Sequence, residues 1–162
     1  MVTIPLVKKD SVVNRAYKFE ENPFTEVYID INYKCNMSCP MCYSDTPLGA
    51  QATVPDLDLD YYEEFCAKLP QPIIIPMVGG EPTISKHILK IIEITHKYGH
   101  MAFMSTNGRR FAQSLDFTKR FAEVAKKGNT RIHIDISGGY NDDYNQVLYG
   151  EPGVKMKMQA LE

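Results

Sequence analysis

The sequence predicts an α/β fold built on a parallel sheet of about four βα units. Short apolar segments rich in β-branched and aromatic residues alternate with amphipathic segments of helical period, and this alternation repeats four times. Alternating strands and helices favour parallel sheets with right-handed crossovers. The unusual polar, glycine-rich and cysteine-rich segments each follow a predicted strand. Because functional loops gather at the carboxyl ends of parallel strands, we expect one functional edge.

The first unit begins with a strand over residues 26–32, where β-branched and aromatic residues are dense. A loop that contains cysteine and proline follows it. A helix is then predicted from Asp60, since Glu63 three residues later completes the pattern of a capping box. Pro70 and Pro72 are expected to close this helix.

The second unit begins with a continuous apolar strand over residues 73–78, which is typical of a buried parallel strand. Pro76 argues against a central position, because proline offers no donor to the ladder. Ser85 is expected to cap the following helix, which ends at Gly99. One face of that helix carries Ile88, Ile91, Ile92, Thr95 and Tyr98.

The third and fourth units repeat this plan. Residues 100–105 are a predicted strand, and residues 115–127 a predicted helix. Residues 131–136 are the fourth predicted strand, closed by a serine and two glycines. Residues 140–149 are predicted to be a loop because they are rich in Asn, Asp and Tyr. A last helix is expected over residues 154–162.

Composition and charge fit one globular domain and exclude several function classes. The 162 residues are 44% hydrophobic and 23% charged, with a net charge of −2. The basic residues form no stripe, which argues against nucleic-acid binding. No apolar run approaches the roughly 20 residues that span a bilayer, and the N-terminus lacks a signal-peptide pattern. We therefore expect a cytoplasmic protein whose thiols stay reduced.

Three of the four cysteines, Cys35, Cys39 and Cys42, lie in one short loop with the spacing C-x3-C-x2-C. Thiolates this close along the chain can converge on one soft metal centre. Iron–sulfur cubanes take four cysteine ligands, so three thiolates would leave one iron open. The loop therefore predicts a metal centre with a vacant coordination position.

Two other interpretations of these cysteines stay open. A disulfide would leave an odd thiol and suits a secreted protein, which this chain does not resemble. A structural zinc site would need a fourth ligand, from Cys66 or from one of His87, His96, His100 and His133. We expect Cys66 to be a small buried residue of the first helix instead.

Taken together, these motifs resemble the radical SAM superfamily. Residues 35–42 resemble its C-x3-C-x2-C cluster loop, and Gly79-Gly80-Glu81-Pro82 is similar to its GGEP motif after the second strand. Ser105-Thr106-Asn107-Gly108 resembles the ending of its third strand. The resemblance covers residues from about 26 to 139 and implies a (βα) barrel. With about four units, residues 26–162 would be a partial barrel, incomplete at the C-terminus, and residues 1–25 an N-terminal extension.

The resemblance also implies an activity and its cofactors. A 4Fe–4S cluster on Cys35, Cys39 and Cys42 would bind S-adenosylmethionine at its open iron and cleave it reductively. The product, a 5′-deoxyadenosyl radical, would act on a substrate that the sequence does not name, and the catalytic residues stay unknown. A reductant protein such as a flavodoxin or ferredoxin is the implied electron donor.

The same resemblance implies a set of cofactor-binding residues. The glycines of GGEP allow close backbone approach, and the Glu81 carboxylate would suit an ammonium group. This chain has Met41 where the family often has an aromatic residue, with Tyr43 after the last cysteine instead. Asp135 and Ser137 stand in the reverse of the family's usual order. The full implied set is Gly79, Gly80, Glu81, Pro82, Ser105, Thr106, Asn107, Asp135, Ser137 and Tyr43.

Two further functional hypotheses come from other classes. The chain would be a non-catalytic cluster- and cofactor-binding module if it needs another chain to complete the barrel, because a sheet of four strands has open edges. The other alternative is a structural zinc-binding domain. Neither hypothesis involves nucleic acid or a membrane.

Overall fold

The structure, a computed structural model, describes residues 25–44, 55–69 and 71–162. Of the predicted N-terminal extension, only Thr25 lies within the described residues. In chain order the elements are β1 (Ile29–Asn32), α1 (Leu59–Lys68), β2 (Ile74–Gly79), a 3-10 turn (Pro82–Ile84), α2 (Ile88–Lys97), β3 (Met101–Thr106), α3 (Arg109–Gln113), α4 (Leu115–Ala125), β4 (Thr130–Ile134), α5 (Asp142–Tyr149) and α6 (Val154–Leu161).

The four strands form one sheet in the order β1-β2-β3-β4, and every neighbouring pair is parallel. The predicted α/β class with four parallel units is therefore confirmed. Because chain order and spatial order agree, the four strands wind in one direction, as in part of a (βα) barrel. Within the described residues, β1 and β4 are the two edges of the sheet.

The hydrophobic core lies between the helices and one face of the sheet. Side chains alternate along each strand, so every second residue of β2 and β3 faces this core. The other face carries Phe103, whose ring stacks on His133 at 6.4 Å. The main fully buried core residues are Ile31, Tyr62, Ile75, Met77, Ile88, Ile91, Ile92, Ala102 and Met104. No helix in the described part of the chain is long and apolar enough to cross a membrane.

The predicted start of α1 was wrong by two residues. Asp58, not Asp60, is the N-cap, and its carboxylate accepts a hydrogen bond from Tyr61 N at 2.8 Å. Asp60 lies in the first turn, where its charge favours the positive end of the helix dipole. Leu69 is the C-cap of α1, and Pro70 lies outside the described residues.

Pro76 argued against a central position, and this expectation was wrong, because β2 lies between β1 and β3. Ile74 N donates to Thr25 O at 2.9 Å, and Ile74 O accepts from Val27 N, so Ile74 bonds on the β1 side. Alternation places Pro76 on the same side. Pro76 has no N–H to donate. The place where that hydrogen bond would form lies between Glu26, which pairs with Ile74 in an isolated bridge, and Ile29, where β1 begins. The predicted first strand, residues 26–32, is therefore regular only from Ile29.

The α2 helix begins later than its predicted cap. Ser85 Oγ accepts from His87 N at 3.2 Å, but His87 is the N-cap, after the 3-10 turn. The predicted apolar face is confirmed, with Thr95 among its fully buried residues. Gly99 ends the helix with a φ of 77°, which favours glycine.

The α5 helix replaces the loop that was predicted over residues 140–149. Asn141 caps it, since its Oδ1 accepts from Asp143 N at 2.9 Å and from Tyr144 N at 3.2 Å. Gly150 ends it in the left-handed conformation. The short helix α3 was not predicted either, and β3 and β4 each begin one residue away from the expected position. The last predicted helix is confirmed as α6.

Three phenylalanines anchor α3 and α4 to the core, and Phe117→Ala is expected to destabilise the fold by about 3–5 kcal/mol. The Phe117 ring lies 5.2 Å from Phe111 and 6.1 Å from Phe121, and the residue is 3% exposed. Urea unfolding measures this loss. The matched control is Leu115→Ala on the same helix, where the side chain is 67% exposed. Equal losses in both variants would contradict the assigned role.

Candidate functional site

Three loops meet at the carboxyl ends of the first three strands. The cysteine loop follows β1, the GGEP segment follows β2, and the Thr106–Gly108 turn follows β3. Gly80 N donates to Asn32 O at 2.8 Å, and Glu81 N donates to Lys34 O at 2.7 Å. The structure thus brings the cysteine loop and the GGEP segment together as neighbouring extended backbones.

Gly79 and Gly80 are required by this close approach. A Cβ atom on Gly79 would lie 2.3 Å from Asn32 O, and one on Gly80 would lie 2.0 Å from Lys34 O. Gly79 also has a φ of 115°, a conformation that side chains with a Cβ rarely adopt. The contacts are with backbone atoms, so no side chain can move aside to make room. The two glycines therefore set the distance between the GGEP segment and the cysteine loop.

The Glu81 carboxylate is buried, with an exposure of 2%, and accepts four hydrogen bonds. Its Oε1 accepts from Thr83 N at 2.9 Å, from Thr83 Oγ1 at 2.5 Å and from Thr106 Oγ1 at 2.6 Å. Its Oε2 accepts from Asn107 N at 2.8 Å. Four donors fill the normal capacity of a carboxylate. In this structure the carboxylate joins β2, the 3-10 turn and β3, rather than facing an ammonium group.

Asparagines add the remaining links between these loops. Asn107 Nδ2 donates to Asn36 Oδ1 at 2.8 Å, which ties the turn after β3 to the cysteine loop. Asn32 Nδ2 donates to Glu81 O at 2.9 Å, and Asn32 Oδ1 accepts from Lys34 N at 2.7 Å. Sequence reasoning missed Asn32 and Asn36. Asn36 directly follows Cys35, and Asn32 ends β1 three residues before it, and these positions were the available signal.

The Glu81→Gln variant is expected to destabilise the fold by about 1–3 kcal/mol. Glutamine keeps one oxygen for the donors of Thr83 and Thr106, but its amide nitrogen would face Asn107 N, so two donors would oppose each other. Urea unfolding measures the loss. Glu123→Gln, on the exposed surface of α4, should leave the free energy of unfolding unchanged. Unchanged stability in Glu81→Gln would contradict the bridging role.

None of the three loop cysteines forms a disulfide, and neither does Cys66. Cys35 and Cys39 are half-buried, whereas Cys42 is exposed. Met37 N donates to Cys35 Sγ at 3.4 Å, and Cys42 N donates to Cys39 O at 3.0 Å. The second bond closes a turn that keeps the last two cysteines on one short piece of backbone.

Burial raises the pKa of both half-buried thiols. For Cys39, the neighbouring groups of Cys35 and Cys42 raise the pKa further. For Cys35, hydrogen bonds from the backbone act in the opposite direction, while Glu81 and Cys42 raise the pKa. The three thiols therefore lie within electrostatic reach of one another. A bound cation would relieve this repulsion, because metals bind thiolates and release their protons. The donor set fits a soft metal centre.

Three of the candidates for a fourth zinc ligand, Cys66, His100 and His96, have other surroundings in the structure. Cys66 is 1% exposed in the core, and its carbonyl contacts His100 Nε2 at 3.1 Å. His96 Nε2 contacts Thr130 Oγ1 at 2.9 Å, at the start of β4. These three candidates for a fourth ligand lie at the amino ends of the strands, away from the cysteine loop.

A fourth polar group follows β4. Asp135 Oδ1 accepts from Ser137 N at 2.9 Å, and Asp135 Oδ2 accepts from Tyr149 OH at 2.7 Å. Lys157 Nζ donates to Asp135 O at 2.6 Å. Partial burial acts to raise the pKa of Asp135, but the hydrogen bonds from Ser137 and Tyr149, with the Lys157 ammonium, outweigh it and lower the pKa. The structure thus brings Asp135 and Ser137 together.

The other predicted cofactor residues have different surroundings. Pro82 is buried at the start of the 3-10 turn, and the Thr106 hydroxyl is directed at Glu81. Ser105 points to the sheet face opposite the core and is half-buried. Tyr43 is 77% exposed, and its pKa is raised by burial of part of the ring and by the nearby Asp30 and Cys42.

Comparison with known families identifies one match. The sequence model of the Radical SAM superfamily matches residues 29–162. This range includes β1 to α6 and all three loop cysteines.

Curated relatives are similar at lower identity. The chain is 23% identical over 137 residues to a 7,8-dihydro-6-hydroxymethylpterin dimethyltransferase of Methanocaldococcus jannaschii, covering 83% of this chain and 26% of that protein. It is 28% identical over 114 residues to a probable GTP 3′,8-cyclase of Pyrococcus abyssi, covering 70% and 35%. The chain thus spans about a quarter to a third of the length of these relatives.

Solved structures share the fold. SuiB of Streptococcus suis, bound to its precursor peptide SuiA, matches with a TM-score of 0.65 at 19% identity, covering 84% of this chain and 29% of SuiB. SuiB bound to S-adenosylmethionine matches with a TM-score of 0.59 at 20% identity, over 83% and 28%. At such identities the likeness concerns the fold, and it supports a partial barrel.

Proposed function

Because the chain belongs to the radical SAM superfamily, we propose that it binds a 4Fe–4S cluster and S-adenosylmethionine and cleaves that cofactor reductively. Cys35, Cys39 and Cys42 are the proposed cluster ligands. The observation that carries this proposal is their arrangement on one loop, held against the GGEP backbone by two hydrogen bonds. When bound, the cluster would supply the electron that cleaves the sulfonium and gives a 5′-deoxyadenosyl radical.

The chain's own residues would act by holding this site in place. Gly79 and Gly80 let the GGEP backbone lie against the cysteine loop, so this backbone is the proposed contact for the cofactor. Glu81 acts behind it, because its carboxylate fixes the turn after β3 to the same segment. A pre-organised site of this kind loses less conformational entropy when it binds a cofactor.

The remaining predicted residues are proposed cofactor contacts at the rim of this edge. Ser105 lies near the end of β3 and Asn107 directly after it. Asp135 and Ser137 come after the end of β4. Tyr43, with its exposed ring beside Cys42, is proposed to lie against the adenine or the substrate. Aromatic rings that are largely exposed offer a flat apolar surface of this type.

The proposed chemistry indicates the class of the electron donor, but it does not identify the substrate. A one-electron protein reductant such as a flavodoxin or ferredoxin would supply the cluster. The curated relatives are named for a pterin methylation and a GTP cyclisation, but fold does not fix substrate. The substrate of this chain is therefore left open.

The test is the release of 5′-deoxyadenosine from S-adenosylmethionine. The full chain, reconstituted anaerobically with iron and sulfide, is mixed with dithionite and S-adenosylmethionine, and the nucleoside is measured by chromatography. We expect release that depends on both the reductant and the cluster. A cluster that binds S-adenosylmethionine without cleaving it would instead favour the non-catalytic module that needs another chain.

A further inference from the structure

The segment after β4 folds back onto the cysteine loop at Gly150. Gly150 is the C-cap of α5, with a φ of 77°, and its N–H donates to Gln146 O at 3.0 Å. A Cβ on Gly150 would lie 2.8 Å from Ser38 O and 3.6 Å from Pro40 Cδ. Real Cβ atoms essentially never approach a backbone oxygen below 3.0 Å. The end of α5 is therefore pressed against the residues on either side of Cys39.

Lys157, on α6, is a buried cation beside Tyr149, the last residue of α5. The residue is 2% exposed, and its Nζ lies 3.1 Å from the centre of the Tyr149 ring. Nζ also donates to Asp135 O at 2.6 Å. Lysine is almost never fully buried unless its ammonium has partners, and here a ring face and a carbonyl supply them. A lysine that is so completely enclosed is not a solvated surface group.

Further contacts hold this segment to the rest of the fold. Arg109, which begins α3 just after the Asn107 turn, forms an ion pair with Glu151. Asp142 Oδ1 accepts from Gly153 N at 3.0 Å and from Val154 N at 3.1 Å, which fixes the link between α5 and α6. The contact at Gly150 and the position of Lys157 are thus set by several independent bonds.

We propose that Gly150 is a positioning residue for the proposed cluster ligand Cys39. It holds the Ser38–Pro40 part of the loop by close backbone contact. This inference rests on the proposed function for the identity of the bound group.

The first test uses the metal-free full chain. Gly150→Ala is compared with Gly99→Ala, because Gly99 has the same φ of 77° but nothing closer to its added Cβ than Pro72 Cγ at 4.0 Å. The rate of iodoacetamide labelling is measured for each cysteine by mass spectrometry. Because thiol reactivity follows exposure, we expect Cys39 to be labelled roughly threefold faster or more in Gly150→Ala, and at the wild-type rate in Gly99→Ala.

Two outcomes of this labelling would overturn the inference. Equal rates at Cys39 in the two variants would mean that the contact does not hold the loop. A parallel rise at the buried Cys66 would mean that Gly150 is needed for the whole fold rather than for the loop. Protected Cys66 with faster Cys39 supports the proposed role.

The second test measures the iron bound after anaerobic reconstitution in Gly150→Ala and Gly99→Ala. We expect less bound iron in Gly150→Ala than in Gly99→Ala, because only the first variant displaces the backbone beside Cys39. Equal iron in the two variants would overturn the positioning role. A wild-type chain that takes up no iron would defeat the proposed function. The labelling needs no cluster, so it would still decide whether the contact at Gly150 holds the loop.

Discussion

The triple variant Cys35→Ala, Cys39→Ala, Cys42→Ala is expected to lose cluster binding and 5′-deoxyadenosine release completely. The three thiols are the soft ligands of the loop that follows β1, at the carboxyl edge of the sheet. Iron, acid-labile sulfide and visible absorption are measured after anaerobic reconstitution of the full chain.

The matched control for this prediction is Cys66→Ala. Cys66 is buried in the core beside Tyr62, at the other end of α1 from the cysteine loop. Its replacement should lower stability by about 1 kcal/mol or more through the cavity that it leaves, but should leave iron uptake unchanged. Iron and sulfide bound by the triple variant at the wild-type level would contradict the assignment of the ligands.

The Gly80→Ala variant is expected to displace the cysteine loop from the GGEP backbone. Its Cβ would lie 2.0 Å from Lys34 O and 2.5 Å from Lys34 C, and backbone atoms cannot move aside without moving the loop. The hydrogen bond from Glu81 N to Lys34 O would break. We expect a loss of about 1–3 kcal/mol in unfolding free energy, together with a marked loss of bound iron.

Gly153→Ala is the control for Gly80→Ala. Gly153 has a φ of −137°, and the nearest atom to its added Cβ is Lys157 Cε at 3.8 Å, an ordinary contact. This variant should keep its stability and its bound iron. If Gly80→Ala retained the cluster as well as Gly153→Ala does, the close approach of the two backbones would not be needed for the site.

Much of the functional edge was predictable, because local sequence patterns determine it directly. Cysteine spacing needs no tertiary information, and a parallel βα repeat places every post-strand loop at one edge. The meeting of the cysteine loop, Gly80 and Asn107 was therefore expected, and the structure places them in contact.

The role of the Glu81 carboxylate was not predictable in the same way. A carboxylate on a loop at the functional edge suggests a ligand contact, but half of its hydrogen bonds come from the end of β3, a segment distant in the chain. Thr83 and Thr106 supply hydroxyl donors, and Asn107 supplies a backbone N–H. Such a set depends on how strands align in space, which the chain order does not reveal.

The α5 helix and Lys157 were missed for related reasons. Asn141 and two aspartates suggested a turn, although the same residues are a helix cap and an acidic first turn, and Gly150 is the matching end signal. Lys157 resembles a surface residue of an amphipathic helix in the sequence. Its burial comes from packing against Tyr149 and the end of β4, which no local pattern encodes.

The most direct test of the account is metal and sulfide analysis of the wild-type chain purified without oxygen. A three-thiolate cubane predicts about four irons and about four sulfides per chain after reconstitution, with the brown colour of an iron–sulfur protein. One zinc per chain, or a colourless protein that takes up no iron, would contradict it.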